Sequence, residues 1–322
     1  MLVKSITKEV KTPCKVLVWV YGQQRLVHSL IDSLMEDGNY QVAVLVGYRS
    51  NLIFRNGTRI LRTNFRGITD DLISSIQGHE ILVSSVGGHI QMRQHLFVAK
   101  VAAVAGIRRY ILPECASERS DHSTSKTQLT TQLTDLAILI PSFSWTAIAC
   151  GIWLDVALAK HRIFIDTLNH HVCCQEWSQQ SLTMTTMAYT VSGFIAVMKK
   201  PNFAVNQRVY LRGMEISQSD IITELERRQH VVYTGLVINS DERAQTSLIS
   251  TVMLNDEHAG PYRQECRTPV LEDSLHIGSI TLESVIEQHL QEQCKELHSE
   301  ASTALTSAAD ETGSISLELA MS

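Results

Sequence analysis

The sequence has no long apolar run, no excess of positive charge, no CxxC pair and no internal repeat, and each absence closes a class of function. Its longest apolar runs, such as Val16 to Tyr21 and Leu136 to Pro141, fall far short of the roughly 18 residues a bilayer-spanning helix needs. No membrane partner is expected. Lys and Arg number 28 against 33 Asp and Glu, a net charge of −5 with an isoelectric point near 6.2. No basic stripe is available to neutralise a phosphate backbone, so nucleic acid is not the expected partner. The seven cysteines are an odd number, scattered at Cys14, Cys115, Cys150, Cys173, Cys174, Cys266 and Cys294. That is the pattern of reduced thiols in a cytoplasmic chain. The first fifteen residues carry charges but no apolar core segment, so no secretory signal is expected. The sequon Asn56-Gly57-Thr58 is then incidental.

What is present is a chain of 322 residues with 44% hydrophobic and 19% charged residues. That is enough for one large α/β domain or two small ones, and too apolar for disorder. The first half alternates strand and helix signals. Lys15 to Tyr21 is a nearly continuous apolar run, as in a strand covered on both faces. Leu26, Val27, Leu30, Ile31, Leu34 and Met35 recur with helical spacing, and Gly38-Asn39 stops that helix. Val42 to Val46 is a second strand. Thr69 caps a short helix carrying Leu72, Ile73 and Ile76, ended by Gly78. Ile81 to Val86 reads as a strand, followed by Gly87-Gly88, an Ala-rich helix to about Gly106, and a strand over Arg109 to Leu112. This alternation predicts a parallel, doubly wound sheet with right-handed crossovers. The second half is less regular. Phe143 to Ala149 and Ile163 to Cys174 look like strands, and Ser217 to Asp220 resembles a capping box ahead of Ile221, Ile222 and Leu225. From about Lys295 the composition turns to Ser, Thr, Ala and Glu, as in a disordered tail or a loose helix.

In an open α/β sheet, ligands bind beyond the carboxyl ends of the strands. The first such turn here is Tyr21-Gly22-Gln23-Gln24-Arg25-Leu26-Val27. A dinucleotide fold wants glycines there for a tight turn, close approach to pyrophosphate and helix–strand packing. This turn holds one glycine. The helix N-terminus still presents backbone N–H groups to an anion, and Gln23, Gln24 and Arg25 add side-chain donors.

The chain as a whole resembles the NmrA-like and isoflavone-reductase-like group of atypical short-chain dehydrogenases, especially its fungal branch, over about residues 14 to 265. The resemblance rests on the first strand and helix and on Val83-Ser84-Ser85-Val86-Gly87-Gly88. It continues through Ala105 to Glu114, which looks like the family's AGVKRF-IPSEF segment, and through Ser144 to Asp155, similar to its YTxxxxGxFLD segment. Ser181 to Val197 and Asn206 to Glu224 follow the later pattern. The resemblance implies a Rossmann-type doubly wound parallel sheet with a smaller α+β C-terminal substrate-binding part. Its expected divisions are an arm over 1–13, a dinucleotide domain over 14–150, an interleaved substrate part over 151–294 and a tail over 295–322. It implies NADPH, with NAD as the alternative, no metal, and reduction of a small, aromatic or polyketide-like molecule by a monomer or homodimer, as in secondary-metabolite pathways. The family's GxxGxxG falls on Tyr21, Gln24 and Val27, all of which carry side chains. Gly47 stands where NADP-preferring members carry Arg, with Arg49 two residues on, and Pro113 replaces the Ser of the PSEF segment while Glu114 remains.

By that resemblance Lys126, followed by Leu129 and Leu133, is the catalytic candidate. A lysine in a half-dry pocket shifts toward neutrality and shuttles a proton. Gly22, Gln23, Gln24, Arg25, Arg49, Val86, Gly87 and Gly88 are the cofactor candidates, and Glu114, Cys115, Gly151 and Trp153 the substrate candidates. His170-His171-Val172-Cys173-Cys174 invites a metal reading, but alternation on a strand disperses the ligands to two faces. Asp121, His122, Ser123 and Ser125 read as a polar loop, since no nucleophile-elbow motif is present. Two other functions stay open: cofactor-free isomerisation, dehydration or cyclisation on a silenced scaffold, and ligand-sensing regulation.

Overall fold

The computed structural model describes residues 12–20, 24–65, 67–85, 91–115, 122–174, 178–179, 181–237, 270–275 and 277–299. Within them, the side chains of residues 24, 91, 92, 115, 122–127, 174, 236, 237, 273 and 274 lie outside the description. The first half is β1 (Cys14–Trp19), α1 (Gln24–Asp37), β2 (Tyr40–Gly47), β3 (Arg59–Thr63), α2 (Asp70–Ile76), β4 (Ile81–Ser84), α3 (Gln91–Val104), β5 (Arg109–Cys115), α4 (His122–Leu139) and β6 (Ser144–Trp153). The second half adds α5 (Leu154–Ala159), β7 (Ile165–Asp166), β8 (His171–Cys174), β9 (Leu182–Thr185), α6 (Met187–Lys199), β10 (Gln207–Tyr210), β11 (Met214–Ile216), α7 (Gln218–Gln229) and β12 (Thr234–Val237). A short turn of helix over Leu271–Ser274 and a longer helix over 282–299 follow.

The strands run β3-β2-β1-β4-β5-β6, all parallel, and β9, β10 and β11 extend the same sheet past β6. The fold is a Rossmann-type doubly wound α/β sheet. The apolar runs explain it. Every residue from Val16 to Trp19 is buried; Val16 and Val18 pack with α1 and α6, while Leu17 and Trp19 pack with α2, α3 and α4. A strand covered on both sides has no polar face to show in sequence. Helix α1 meets it with Leu26, Val27, Leu30, Ile31 and Leu34. The Thr69 side chain caps α2 by accepting from the Leu72 N–H at 3.2 Å. Gly106, at φ +83°, turns the chain out of α3, a conformation costly for any residue with a Cβ.

The expected boundary between 150 and 151 falls inside β6. Its first part pairs with β10, from Thr146↔Gln207 to Ala149↔Tyr210, and its end pairs with β9 at Ile152 and Trp153. A separate three-stranded sheet, β12-β8-β7, packs with α5, α7 and the 282–299 helix around Leu158, Ile165, Leu225 and Ile286. The stretch Ile163 to Cys174, expected as strand, is a hairpin of β7 and β8. Asp166 folds it by accepting from the N–H groups of Leu168 and Asn169, both at 3.0 Å. The expected capping box is present: Ser217 Oγ accepts from the Asp220 N–H at 3.1 Å, and the Asp220 carboxylate accepts from the Ser217 N–H at 2.8 Å. The last described helix runs through Lys295 to residue 299.

Candidate functional site

All six strands of the parallel core end at one rim, and the strand order reverses between β1 and β4. Such a reversal opens a crevice for ligands at the carboxyl ends of the strands. Helix α1 begins there at Gln24, so its first-turn N–H groups and dipole face an anion placed in the crevice. Two bonds draw the strand ends together: Val20 N–H donates to the Leu45 carbonyl, and Ser85 N–H to the Trp19 carbonyl, both at 3.0 Å.

This frame can be tested against a dinucleotide. Gln24, at the family's second glycine position, is the first residue of α1, where backbone approaches a pyrophosphate. Val27, at the third position, is fully buried and packs with Val16 and Val18. The third glycine serves helix–strand packing, and Val27 stands in that packing seam, turned to the sheet. The described frame thus sets the start of α1 at the crevice and keeps the Val27 side chain out of it. Arg25 is exposed on the first turn of α1, and Arg49 is exposed in the turn after β2. Gly22, Gln23, Val86, Gly87 and Gly88 lie outside the described residues.

On the other side of the crevice, β5 ends in Glu114 and Cys115. Glu114 shares strand parity with Tyr110 and Leu112, which pack under α4, so it stands on the α4 face. It is only 5% exposed. Its Oε2 accepts from Arg208 Nε on β10 at 2.6 Å, and its buried Oε1 has no hydrogen-bond partner among the described residues. The Arg208 guanidinium lies over the Tyr210 ring, 5.0 Å from its centre. A β-bulge between Glu114 and Cys115 sets Cys115 opposite Gly151; such bulges re-aim side chains beside sites. Gly151 has φ +62°, and a Cβ there would lie 2.3 Å from the Thr183 carbonyl. Its place is set by that close approach. Trp153 is buried, and its indole N–H donates to Thr190 Oγ1 at 2.9 Å. The described contacts of both are thus internal to the fold.

Helix α4 runs back from the rim, and position 126 falls on the stripe of Leu129 and Leu133, which face the sheet. The backbone so brings position 126 to the face that holds Glu114; the side chains of Lys126 and Cys115 are outside the description, as is Asp121. Deeper on this face, the Tyr110 hydroxyl lies 2.9 Å from Nδ1 of buried His95 and also bonds the Ser84 side chain. Burial pushes the His95 pKa down to about 4 and the Tyr110 pKa well up. On the opposite face, Glu272 Oε1 accepts from the Gly213 N–H at 2.9 Å and the Tyr189 hydroxyl at 3.1 Å. Sequence reasoning missed Arg208 and Tyr210, which carried no motif. Among the described residues no three His, Cys, Asp or Glu gather to hold a cation, and no helix is long and apolar enough to cross a membrane.

No protein-family model matches the chain, and no curated protein does. Solved structures match in fold. A nucleoside-diphosphate-sugar epimerase from Staphylococcus aureus aligns with a TM-score of 0.65 at 11% identity, covering 85% of this chain and 99% of its own. An isoflavone reductase aligns with a TM-score of 0.65 at 13% identity, covering 86% and 99%. An NADPH-dependent quinone oxidoreductase from Escherichia coli, solved with NADPH, aligns with a TM-score of 0.62 at 16% identity, covering 85% and 99%. The chain has the Rossmann-type fold that these reductases and epimerases share.

Proposed function

We propose that the protein is an NAD(P)H-dependent oxidoreductase that reduces a small molecule. The observation that carries this reading is the reversal of strand order at the N-terminus of α1, within a fold like that of reductases over 85% or more of the chain. In this reading the α1 N-terminus, with Gly22, Gln23, Gln24 and Arg25, holds the pyrophosphate. Arg49 reaches the adenosine ribose, and Val86, Gly87 and Gly88 line the nicotinamide side. When bound, the cofactor supplies the hydride; the protein supplies position and electrostatics. Lys126 handles the proton, and Glu114 and Cys115 border the substrate. The finer reading is that of the NmrA-like group: NADPH over NADH, and an aromatic or polyketide-like substrate of fungal secondary metabolism, acted on by a cytoplasmic monomer or homodimer.

Calorimetric titration with NADPH and NADH tests it. Binding is expected, and Gln24→Gly should tighten it by letting the backbone approach more closely. Lys126→Ala should leave cofactor affinity intact while product formation falls by about a hundredfold or more, the usual loss for a positioned proton donor. No binding of either nucleotide at millimolar concentration overturns the reading. A product of unchanged oxidation state formed without nicotinamide replaces it with cofactor-free chemistry.

A further inference from the structure

We propose that Glu114 and Arg208 form a substrate-recognition pair: Glu114 Oε1 accepts a hydrogen bond from a hydroxyl or N–H group of a neutral ligand, and Arg208 positions the carboxylate. This rests on the reading of the strand-end rim as the substrate cleft. Glu114 is a buried carboxylate with its two oxygens in different circumstances. Oε2 is engaged by Arg208 Nε at 2.6 Å, whereas Oε1 is shielded from solvent and meets no donor among the described residues. A buried acceptor left so is costly in a folded protein and asks for a donor from outside.

The surroundings say which donor. Arg208 supplies the countercharge and is itself fixed, between the carboxylate and the Tyr210 ring. Its side chain is 21% exposed against 5% for Glu114, so the acceptor is the drier member of the pair. The parity of β5 puts Glu114 on the face where α4 brings position 126. The bulge beside it skips Cys150 and bends the end of the strand before pairing resumes at Cys115. An anionic ligand group brought to Oε1 would meet a carboxylate in a dry setting, where like charges repel strongly. A neutral hydroxyl or N–H gains a charge-assisted bond. The substrate class is therefore an uncharged molecule bearing a hydrogen-bond donor, such as a phenol or enol, and not a carboxylic acid. Arg208 acts through Glu114 and is a positioning residue.

The test uses the full chain and three matched probes, para-hydroxybenzaldehyde, para-methoxybenzaldehyde and para-carboxybenzaldehyde, titrated by ligand-observed NMR with and without NADPH. The hydroxy probe should bind about tenfold more tightly than the other two, the size of one hydrogen bond to a charged acceptor. In Glu114→Gln the preference over the carboxy probe should collapse, and Arg208→Lys should keep more of it than Arg208→Met. A merely structural tie would lower the denaturation midpoint without changing the ratio between probes. If Glu114→Gln fails to fold because Arg208 is left unpaired, the double variant Glu114→Gln with Arg208→Met removes both charges together and should show the same collapse. Equal ratios in wild type and variants, or no binding of the hydroxy probe with NADPH present, overturn the proposal. NADPH binding with no probe preference defeats the pair alone; probe preference without NADPH binding defeats the cofactor reading alone.

Discussion

His95 lies on α3 at 2% exposure with its Nδ1 turned to the Tyr110 hydroxyl, and acid should find it. Burial holds its folded pKa at about 4, against 6.5 for an unperturbed imidazole. The folded value is the lower one, so the unfolded chain takes up the proton first as pH falls. The stability this group contributes is complete above about 6.5 and is lost between there and about 4. Between about pH 7 and pH 5 the loss is about 2 kcal/mol, a shift of about twentyfold in the folding equilibrium. The assay is urea unfolding of wild type and His95→Leu at both pH values. His79 and His289 are also pushed down by burial, so the difference between the two proteins is the readout. His95→Leu takes one of the two partners from the Tyr110 hydroxyl at either pH and should be less stable than wild type at pH 7, but it should lose about 2 kcal/mol less on acidification. Parallel losses in the two proteins would refute the reasoning.

Two further substitutions probe the ends of the sheet. Arg109, at the start of β5, donates to Thr146 Oγ1 and to the carbonyls of Pro201 and Phe203, each at 2.6 Å. Arg109→Leu strands all three acceptors and should cost at least about 3 kcal/mol in chemical unfolding, with cofactor binding at the opposite end unchanged. Gly151→Ala forces a Cβ to within 2.3 Å of the Thr183 carbonyl at φ +62° and should cost about 3 kcal/mol, read from the same unfolding curves.

The doubly wound half was legible because β1, β2 and β4 are continuous apolar runs divided by amphipathic helices, a pattern that depends only on neighbours in sequence. The capping box at Ser217 was legible for the same reason. β3 escaped notice because it is an edge strand, Arg59-Ile60-Leu61-Arg62-Thr63, and edges are kept polar and short. The strand expected over Ile163 to Cys174 failed because the Asp166 turn outweighs its apolar composition. At the rim, Glu114 was marked by its place after an apolar strand. Arg208 stands 94 residues further along, and no periodicity relates residues that meet only because β10 lies beside β6.

The strand β6 touches β10 with one portion of its edge and β9 with the next. It is a shared beam between what the chain lays down early and what it lays down late. A nick at its midpoint would part its first half from β10 and its second half from β5. Split-protein reassembly at that point would have to rebuild both pairings at once, and recombination between relatives would have to carry the whole beam with one parent or the other.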